Sequence, residues 1–162
     1  MGNKTYLVTG ASKGIGRSIA MRLAKDGIQI VLLARQSEEL EDACTEVQSL
    51  SSSSFMIPCD LAQSDSIDAA IESFNGIDSI DGIVHNAGTI APIRSMFEAE
   101  TDAWERNIQV NITGVQRLTK GLYSKMKASE RCRVTTISSG AALRPLHSCL
   151  LYTSDAADDL WC

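Results

Sequence analysis

The stretch TYLVTGASKGIG, residues 5–16, narrows most what this chain can become. The apolar run TYLV breaks into a turn with glycines at 10, 14 and 16, and from Ile15 the spacing becomes helical. Ile19, Leu23 and Ala20 share one face of that helix, and Gly27 stops it. A strand therefore hands over to a helix through a glycine turn, and the same alternation continues along the chain. IQIVLLA, 28–34, is continuously apolar apart from Gln29, as a parallel strand covered on both faces should be. Ser37 is placed to cap a helix running to about Leu50, with Glu38 and Glu39 at its positive end. The serine run 49–54 reads as a solvated linker and FMIP, 55–58, as a third strand. Ser64 reads as the cap of a helical segment that Gly76 ends, and DGIVHNAG, 81–88, as a fourth strand passing into a turn. Trp104, Ile108, Ile112, Val115, Leu118, Leu122 and Met126 predict a helix over 101–128 packed along one side. RVTTISS, 133–139, supplies a fifth strand.

Strands alternating with helices imply βαβ units: an α/β fold with a doubly wound parallel sheet of about five strands and helices on both faces. Such a sheet binds its ligand beyond the carboxyl ends of the strands, where Gly10, Asn86 and Ser139 all fall. The 162 residues suit one domain with a core that needs no disulfides. Cysteines at 44, 59, 132, 149 and 162 show no CxxC spacing and no grouping with the two histidines, so no metal site is expected. Their odd number suits a reducing compartment. No basic leader with an apolar run and no membrane span is visible, so a cytoplasmic location is expected. The formal charge of −5, with no basic stripe, argues against nucleic-acid binding.

The turn GASKGIG, 10–16, keeps side chains out of the way at three points. Gly10 permits a tight turn, Gly14 lets the backbone approach a pyrophosphate, and Gly16 allows close helix packing, while helix N–H groups face the phosphate. The pattern is GxxxGxG, and no Lys–Ser/Thr pair follows the last glycine as a Walker A loop would require. At the end of the second strand a carboxylate would accept the ribose hydroxyls of NAD; this chain has Ala34 and Arg35 there, with Lys13 and Arg17 in or beside the glycine loop. Arg35 and Lys13 are able to grip a 2′-phosphate, which favours NADP over NAD. Taken singly, the same cations also suit a solvated surface.

TGASKGIG (9–16), CDL (59–61), HNAG (85–88), NIQVN (107–111) and ISSG (137–140) together resemble the classical short-chain dehydrogenase/reductase family, whose fold is the Rossmann-like sheet. The likeness covers residues 3–147. It implies that Asp60 holds the adenine end, that Asn86, Ala87 and Gly88 line the cofactor, that Asn111 organises a proton relay, and that Ser139 orients the substrate oxygen. His85 stands where the family more often has Asn. The cofactor set it implies is Gly10, Ser12, Lys13, Gly14, Ile15, Gly16, Arg35, Asp60, Leu61, Asn86, Ala87 and Gly88. On their own chemistry, Asp60 also suits a turn cap, Asn86 a loop that needs its backbone satisfied, Asn111 a locally bonded helix asparagine and Ser139 a strand-end turn. GTIAPI, 88–93, is similar to carbonyl-reducing members.

The resemblance implies hydride exchange between NADP and a small carbonyl compound or alcohol, in a parent enzyme that can be homo-oligomeric. In the family a tyrosine supplies the proton and a lysine four residues later, one helical turn away, lowers the tyrosine pKa. Without that help a phenol near pKa of about 10 is a poor acid/base group at neutral pH. Tyr152 lies thirteen positions after Ser139, but Ala156 occupies the lysine position, and Lys127 is the last lysine in the chain. Asp155, Asp158 and Asp159 would oppose a tyrosinate. CLLYTSDAADD, 149–159, resembles one reading frame of a transposase-type sequencing adapter. The expectation is a nucleotide-binding domain over 1–148, truncated before the family's later elements, and a non-native tail over 149–162. Such a chain would be catalytically inactive. A catalytically silent NADP-binding regulatory module and a non-functional fragment are the alternatives.

Overall fold

Apolar runs form strands where helices cover both faces, and five do so in the computed structural model, which describes residues 4–94 and 97–140. The elements are β1 (Thr5–Thr9), α1 (Gly14–Lys25), β2 (Gln29–Ala34), α2 (Glu38–Leu50), β3 (Phe55–Pro58), α3 (Ser64–Glu72), β4 (Gly82–His85), α4 (Thr101–Ile108), α5 (Gly114–Gly121), α6 (Tyr123–Ala128) and β5 (Arg133–Thr136). A π-helical turn, Gln109–Thr113, joins α4 to α5. Every strand pairing is parallel, in the order β3-β2-β1-β4-β5. The winding reverses between β1 and β4, which makes their carboxyl ends the switch point at which such sheets bind ligands. This is the Rossmann-like doubly wound sheet.

The sheet is buried because alternate residues of each run serve opposite layers. Leu7, Val31, Leu33 and Ile83 pack with Ile67, Phe74, Leu118 and Leu122. Val8, Ile30, Leu32 and Val84 pack on the other side with Ala20 and Ala24 of α1 and Leu40, Ala43 and Val47 of α2. Burying each such Val, Leu, Ile or Phe contributes about 1.5–3 kcal/mol. Small residues let α1 lie close: its buried face is Gly16, Ala20 and Ala24, with Ile19 and Leu23 partly buried beside it. At the opposite edge β5 pairs with β4 alone among the described residues, and Val134 is 49% exposed. No helix among the described residues is long and apolar enough to cross a membrane.

Ser37 caps α2 as expected, its side chain accepting from the Leu40 amide at 3.3 Å. Three expectations need correcting. The serine run is a solvated linker only in part: Ser52 and Ser53 are exposed, but Ser51 and Ser54 are buried, and the Ser54 hydroxyl accepts the Ile30 amide at 2.9 Å. Ser64 is the first residue of α3, and Gln63 stands at the cap position without a side-chain bond. The stretch 101–128 is not one regular helix with one apolar stripe. Its inward positions are Asn107, Gly114, Leu118 and Leu122, while Ile112 is 52% exposed. The first half faces the polar backbone of the loop after β4, so asparagines take the inward place, and the wide π turn shifts the register beyond it.

Candidate functional site

Thr9, wholly buried at the end of β1, organises the switch point. Its hydroxyl accepts the amides of Asn86 and Ala87, both at 3.0 Å. Asn86 answers through its side-chain amide, donating to the carbonyls of Thr9 at 3.0 Å and Gly10 at 3.2 Å. The ends of β1 and β4 are thus stitched side chain to backbone. Gly10 has φ +65°, and a Cβ there would stand 2.9 Å from the Ala87 Cα. At Gly16 a Cβ would stand 2.3 Å from the Gly10 carbonyl oxygen and 2.5 Å from Asn86 Nδ2. Neither position has room for a side chain.

A cavity of about 660 Å³ opens beyond these strand ends. From the expected set, Gly10, Ser12, Lys13, Arg35, Asp60, Leu61, Asn86, Ala87 and Gly88 line it. Gly14 and Ile15 instead line a separate open groove on α1, and Gly16 lies buried beneath the turn. Ser139 is exposed, beyond β5, where Ile137 continues the pairing through its amide to the His85 carbonyl at 2.8 Å. Arg17 turns to Glu46 of α2 at 2.6 Å and does not line the cavity. Tyr152, Ala156 and the tail 149–162 lie outside the described residues.

Helix α1 starts at Gly14 with Lys13 in the cap position, no side-chain cap bond and no acidic residue in its first turn. Its first amides are therefore left to a ligand or to solvent, which is the arrangement that receives phosphate. The rim above α2 differs, for Ser37 caps that helix, and Glu38, Glu39 and Glu41 fill its first turn. The Glu39 carboxyl lies below its ordinary range because of the Ser37 hydroxyl first, its own amide next and the charge of Lys13 last.

Asp60 takes the turn-cap role that its own chemistry suits and adds an ion pair. Its Oδ1 caps a local turn by accepting the Ala62 amide at 3.0 Å, while Oδ2 pairs with Arg106 of α4 at 2.9 Å on the cavity wall. Burial alone would raise this carboxyl; the Ala62 amide, Arg106 and Arg35 outweigh it and hold it below the usual range. Neighbouring Cys59, also on the wall, has its thiol pushed up by burial and is neutral.

Asn111, in the π turn, does not line the cavity. Its Oδ1 accepts the Thr89 amide at 3.0 Å, and its Nδ2 donates to the Thr89 carbonyl at 2.7 Å and to Asn107 Oδ1 at 2.8 Å. Asn107, 2% exposed, donates to the carbonyls of Thr89 and Ala91, at 3.2 and 2.5 Å. Two asparagines one turn apart thus hold the loop that forms the cavity's far wall. His85 faces α5: Thr119 donates its hydroxyl hydrogen to the Val115 carbonyl and so accepts from His85 Nε2 at 3.0 Å. His85 Nδ1 is then a bare lone pair, buried without a partner among the described residues, and burial lowers the imidazole pKa.

The sequence alone does not mark Thr9, Ser37, Glu39, Thr89, Arg106 and Asn107 as site residues, and the fold places all six there. Glu39 and Ser37 carry a signal, as a cap and first turn beside Arg35; Arg106 and Asn107 carry none, because only the folded contacts of α4 with Asp60 after β3 and with Thr89 and Ala91 after β4 bring them in.

A family model described as short chain dehydrogenase matches residues 4–156. A fatty acyl-CoA reductase of Acinetobacter baylyi is 32% identical over 139 residues, 84% of this chain and 47% of that protein. An uncharacterised oxidoreductase of Bacillus subtilis, YvaG, is 30% identical over 93% of this chain and 56% of its own length. Among solved structures, L-sorbose reductase from Gluconobacter frateurii, complexed with NADPH and L-sorbose, superposes with a TM-score of 0.82 at 31% identity, covering 89% of this chain and 55% of that one. An alcohol dehydrogenase from Thermococcus sibiricus, complexed with 5-hydroxy-NADP, gives 0.83 at 26% identity, over 94% of this chain and 65% of that one. The chain spans about half the length of the curated relatives it matches. Because the family match takes in every element from β1 to β5 and the stitched loops at their carboxyl ends, the chain belongs to the short-chain dehydrogenase family.

Proposed function

We propose that the cavity is the dinucleotide site of an NADP(H)-dependent oxidoreductase that reduces a small carbonyl compound or oxidises the matching alcohol. The observation that carries the reading is the rim where β1 and β2 end: Lys13 and Arg35 line it, and no carboxylate follows β2 at Ala34–Arg35. A guanidinium and an ammonium there suit a 2′-phosphate through charge-assisted hydrogen bonds. The open N-terminus of α1 suits the pyrophosphate, and Asp60 and Leu61 suit the adenine edge. L-sorbose reductase with NADPH and the alcohol dehydrogenase with 5-hydroxy-NADP lend support from related folds.

When bound, the nicotinamide supplies or accepts a hydride. This chain's own contribution is to hold and orient: Asn86 and Thr9 fix the loop under the cofactor, and Asn107 and Asn111 fix the loop beside it. Ser139, at the same sheet edge, is proposed to hold the substrate oxygen. Ala156, not a lysine, stands four positions after Tyr152, so the tyrosine–lysine pair that the family uses for proton transfer is incomplete. The unit 1–148 is accordingly a binding domain, residues 149–162 are foreign to it, and the 162-residue chain binds cofactor without turnover. That missing lysine equally favours a silent NADP-binding regulatory module. A cytoplasmic location belongs to the same proposal, supported by free thiols at Cys44, Cys59 and Cys132.

Fluorescence titration with NADPH tests the reading. Saturable binding without NADPH consumption across a panel of ketones and aldehydes is expected. Absence of binding by a chain that melts cooperatively would sink it.

A further inference from the structure

Where the cavity meets the end of β3 and α4, one ion pair decides what the wall offers a ligand. Leu61, Ala103 and Val110 supply apolar lining there, and Asp60 and Arg106 supply the polar groups. Apolar lining with a few polar groups is what a flat base calls for: its faces take the first and its edge the second. The Asp60 carboxylate is already engaged at both oxygens. Oδ1 accepts the Ala62 amide at 3.0 Å and Oδ2 accepts from Arg106 Nη2 at 2.9 Å, while the Ser66 hydroxyl holds the Asp60 amide at 2.9 Å. Of the two paired side chains Arg106 is the more exposed, 45% against 28%. A guanidinium carries five N–H donors and no acceptor. Arg106 bonds Asp60 through one nitrogen and forms no other hydrogen bond among the described residues. The wall therefore presents a fork of donors, with the carboxylate beside it held by its own partners.

We propose that Arg106 is a specificity-determining residue for the base of the dinucleotide, and that it cancels the advantage a 6-amino purine would otherwise draw from Asp60; this rests on the dinucleotide reading of the cavity. The 6-oxygen of hypoxanthine accepts from the guanidinium. The 6-amino group of adenine instead brings N–H donors towards N–H donors, and has to compete with Arg106 for the carboxylate. With the guanidinium gone, Oδ2 of Asp60 is open to a 6-amino group, and a 6-oxo group would meet a bare anion. Arg106 thus sets the sign of the base preference without touching the phosphates.

The test is a set of titrations of the full 162-residue chain with NADPH and with its deamino analogue, the reduced nicotinamide hypoxanthine dinucleotide phosphate. The proteins compared are the unsubstituted chain, Arg106→Met, Arg106→Lys and Arg117→Met. Methionine keeps an apolar stem and removes the donors, lysine keeps the charge and donors, and Arg117 controls for loss of a surface cation because it pairs with Asp68 away from the cavity wall. The unsubstituted chain is expected to bind the analogue within about threefold of NADPH, or tighter. Arg106→Met should move the ratio of the two dissociation constants by more than about threefold towards adenine. Arg106→Lys and Arg117→Met should leave the ratio where it was. A preference of the unsubstituted chain for NADPH beyond about threefold, a smaller shift than that in Arg106→Met, or the same shift from Arg106→Lys or Arg117→Met would each overturn the base reading. Loss of both dinucleotides by Arg106→Met would show a structural role and overturn it as well. Failure of the unsubstituted chain to bind either dinucleotide would overturn the cavity reading and this inference with it, and is told apart because the other refutations all start from a parent chain that binds.

Discussion

Replacing Gly16 by alanine puts a methyl group where the turn over α1 has no space. The added Cβ would lie 2.3 Å from the Gly10 carbonyl oxygen and 2.5 Å from Asn86 Nδ2, and the first of these is backbone that cannot swing aside. Overpacking of this kind costs about 1–3 kcal/mol. Displacing Asn86 also breaks its bonds to the Thr9 and Gly10 carbonyls, each worth about 0.5–1.5 kcal/mol. Alanine's better helix propensity returns about 0.5–1 kcal/mol. The net loss centres on about 3 kcal/mol, and for a domain of this size that lowers Tm by about 6–12 °C. Gly14→Ala is the matched control: φ is +57° there but nothing lies within 4 Å, so only the backbone penalty of about 1–2 kcal/mol applies. Urea unfolding followed by far-ultraviolet circular dichroism, with unchanged m-values, measures both. A Gly16→Ala protein within about 0.5 kcal/mol of the parent, or a Gly14→Ala protein that loses more, would refute the close-packed turn.

His85 gives a pH signature. Its folded pKa lies below the ordinary value, so the unfolded chain takes up the proton first, and stability falls as pH drops below about 6.5 towards the folded pKa; His85→Asn should flatten the urea midpoint across that window, and an unchanged slope would show that His85 is not its source. Asn111→Leu removes three hydrogen bonds and strands the Thr89 amide, at a cost of about 1–3 kcal/mol for that buried group; NADPH affinity should fall while adenosine 2′,5′-bisphosphate, which never reaches that loop, binds as before. Arg106→Ala should raise the Asp60 carboxyl pKa, followed by NMR, and so shift to higher pH the acid loss of stability, while changing stability at pH 7 by less than about 1 kcal/mol for so exposed a pair.

The sheet was legible because its signals are local. Runs such as IQIVLLA and FMIP are apolar for their whole length, and Gly10, Gly27 and Gly76 punctuate them. Most of the cavity's expected wall was legible too, since the glycine turn, Asp60 and Asn86 sit at strand ends that the alternation already located. What could not be read depends on tertiary meetings. Ser54 looks like linker until β2 offers it the Ile30 amide. Asn107 looks like a polar interruption until α4 lies against the carbonyls of Thr89 and Ala91. Periodicity records only apolar burial, so a helix face buried against loop backbone escaped it. By sequence Glu39 is a helix-end charge, which it is, but its place on the cavity wall requires the end of β2 and the turn at Lys13 to come together.

The central claim, that Lys13 and Arg35 select a 2′-phosphorylated dinucleotide, is tested most directly by the ratio of NADH to NADPH dissociation constants in the unsubstituted chain and in Arg35→Asp. The unsubstituted chain should favour NADPH, and Arg35→Asp should weaken NADPH on the order of tenfold to hundredfold, leaving NADH unchanged or tighter. Equal affinities before substitution, or a parallel loss for both nucleotides after it, would contradict the account.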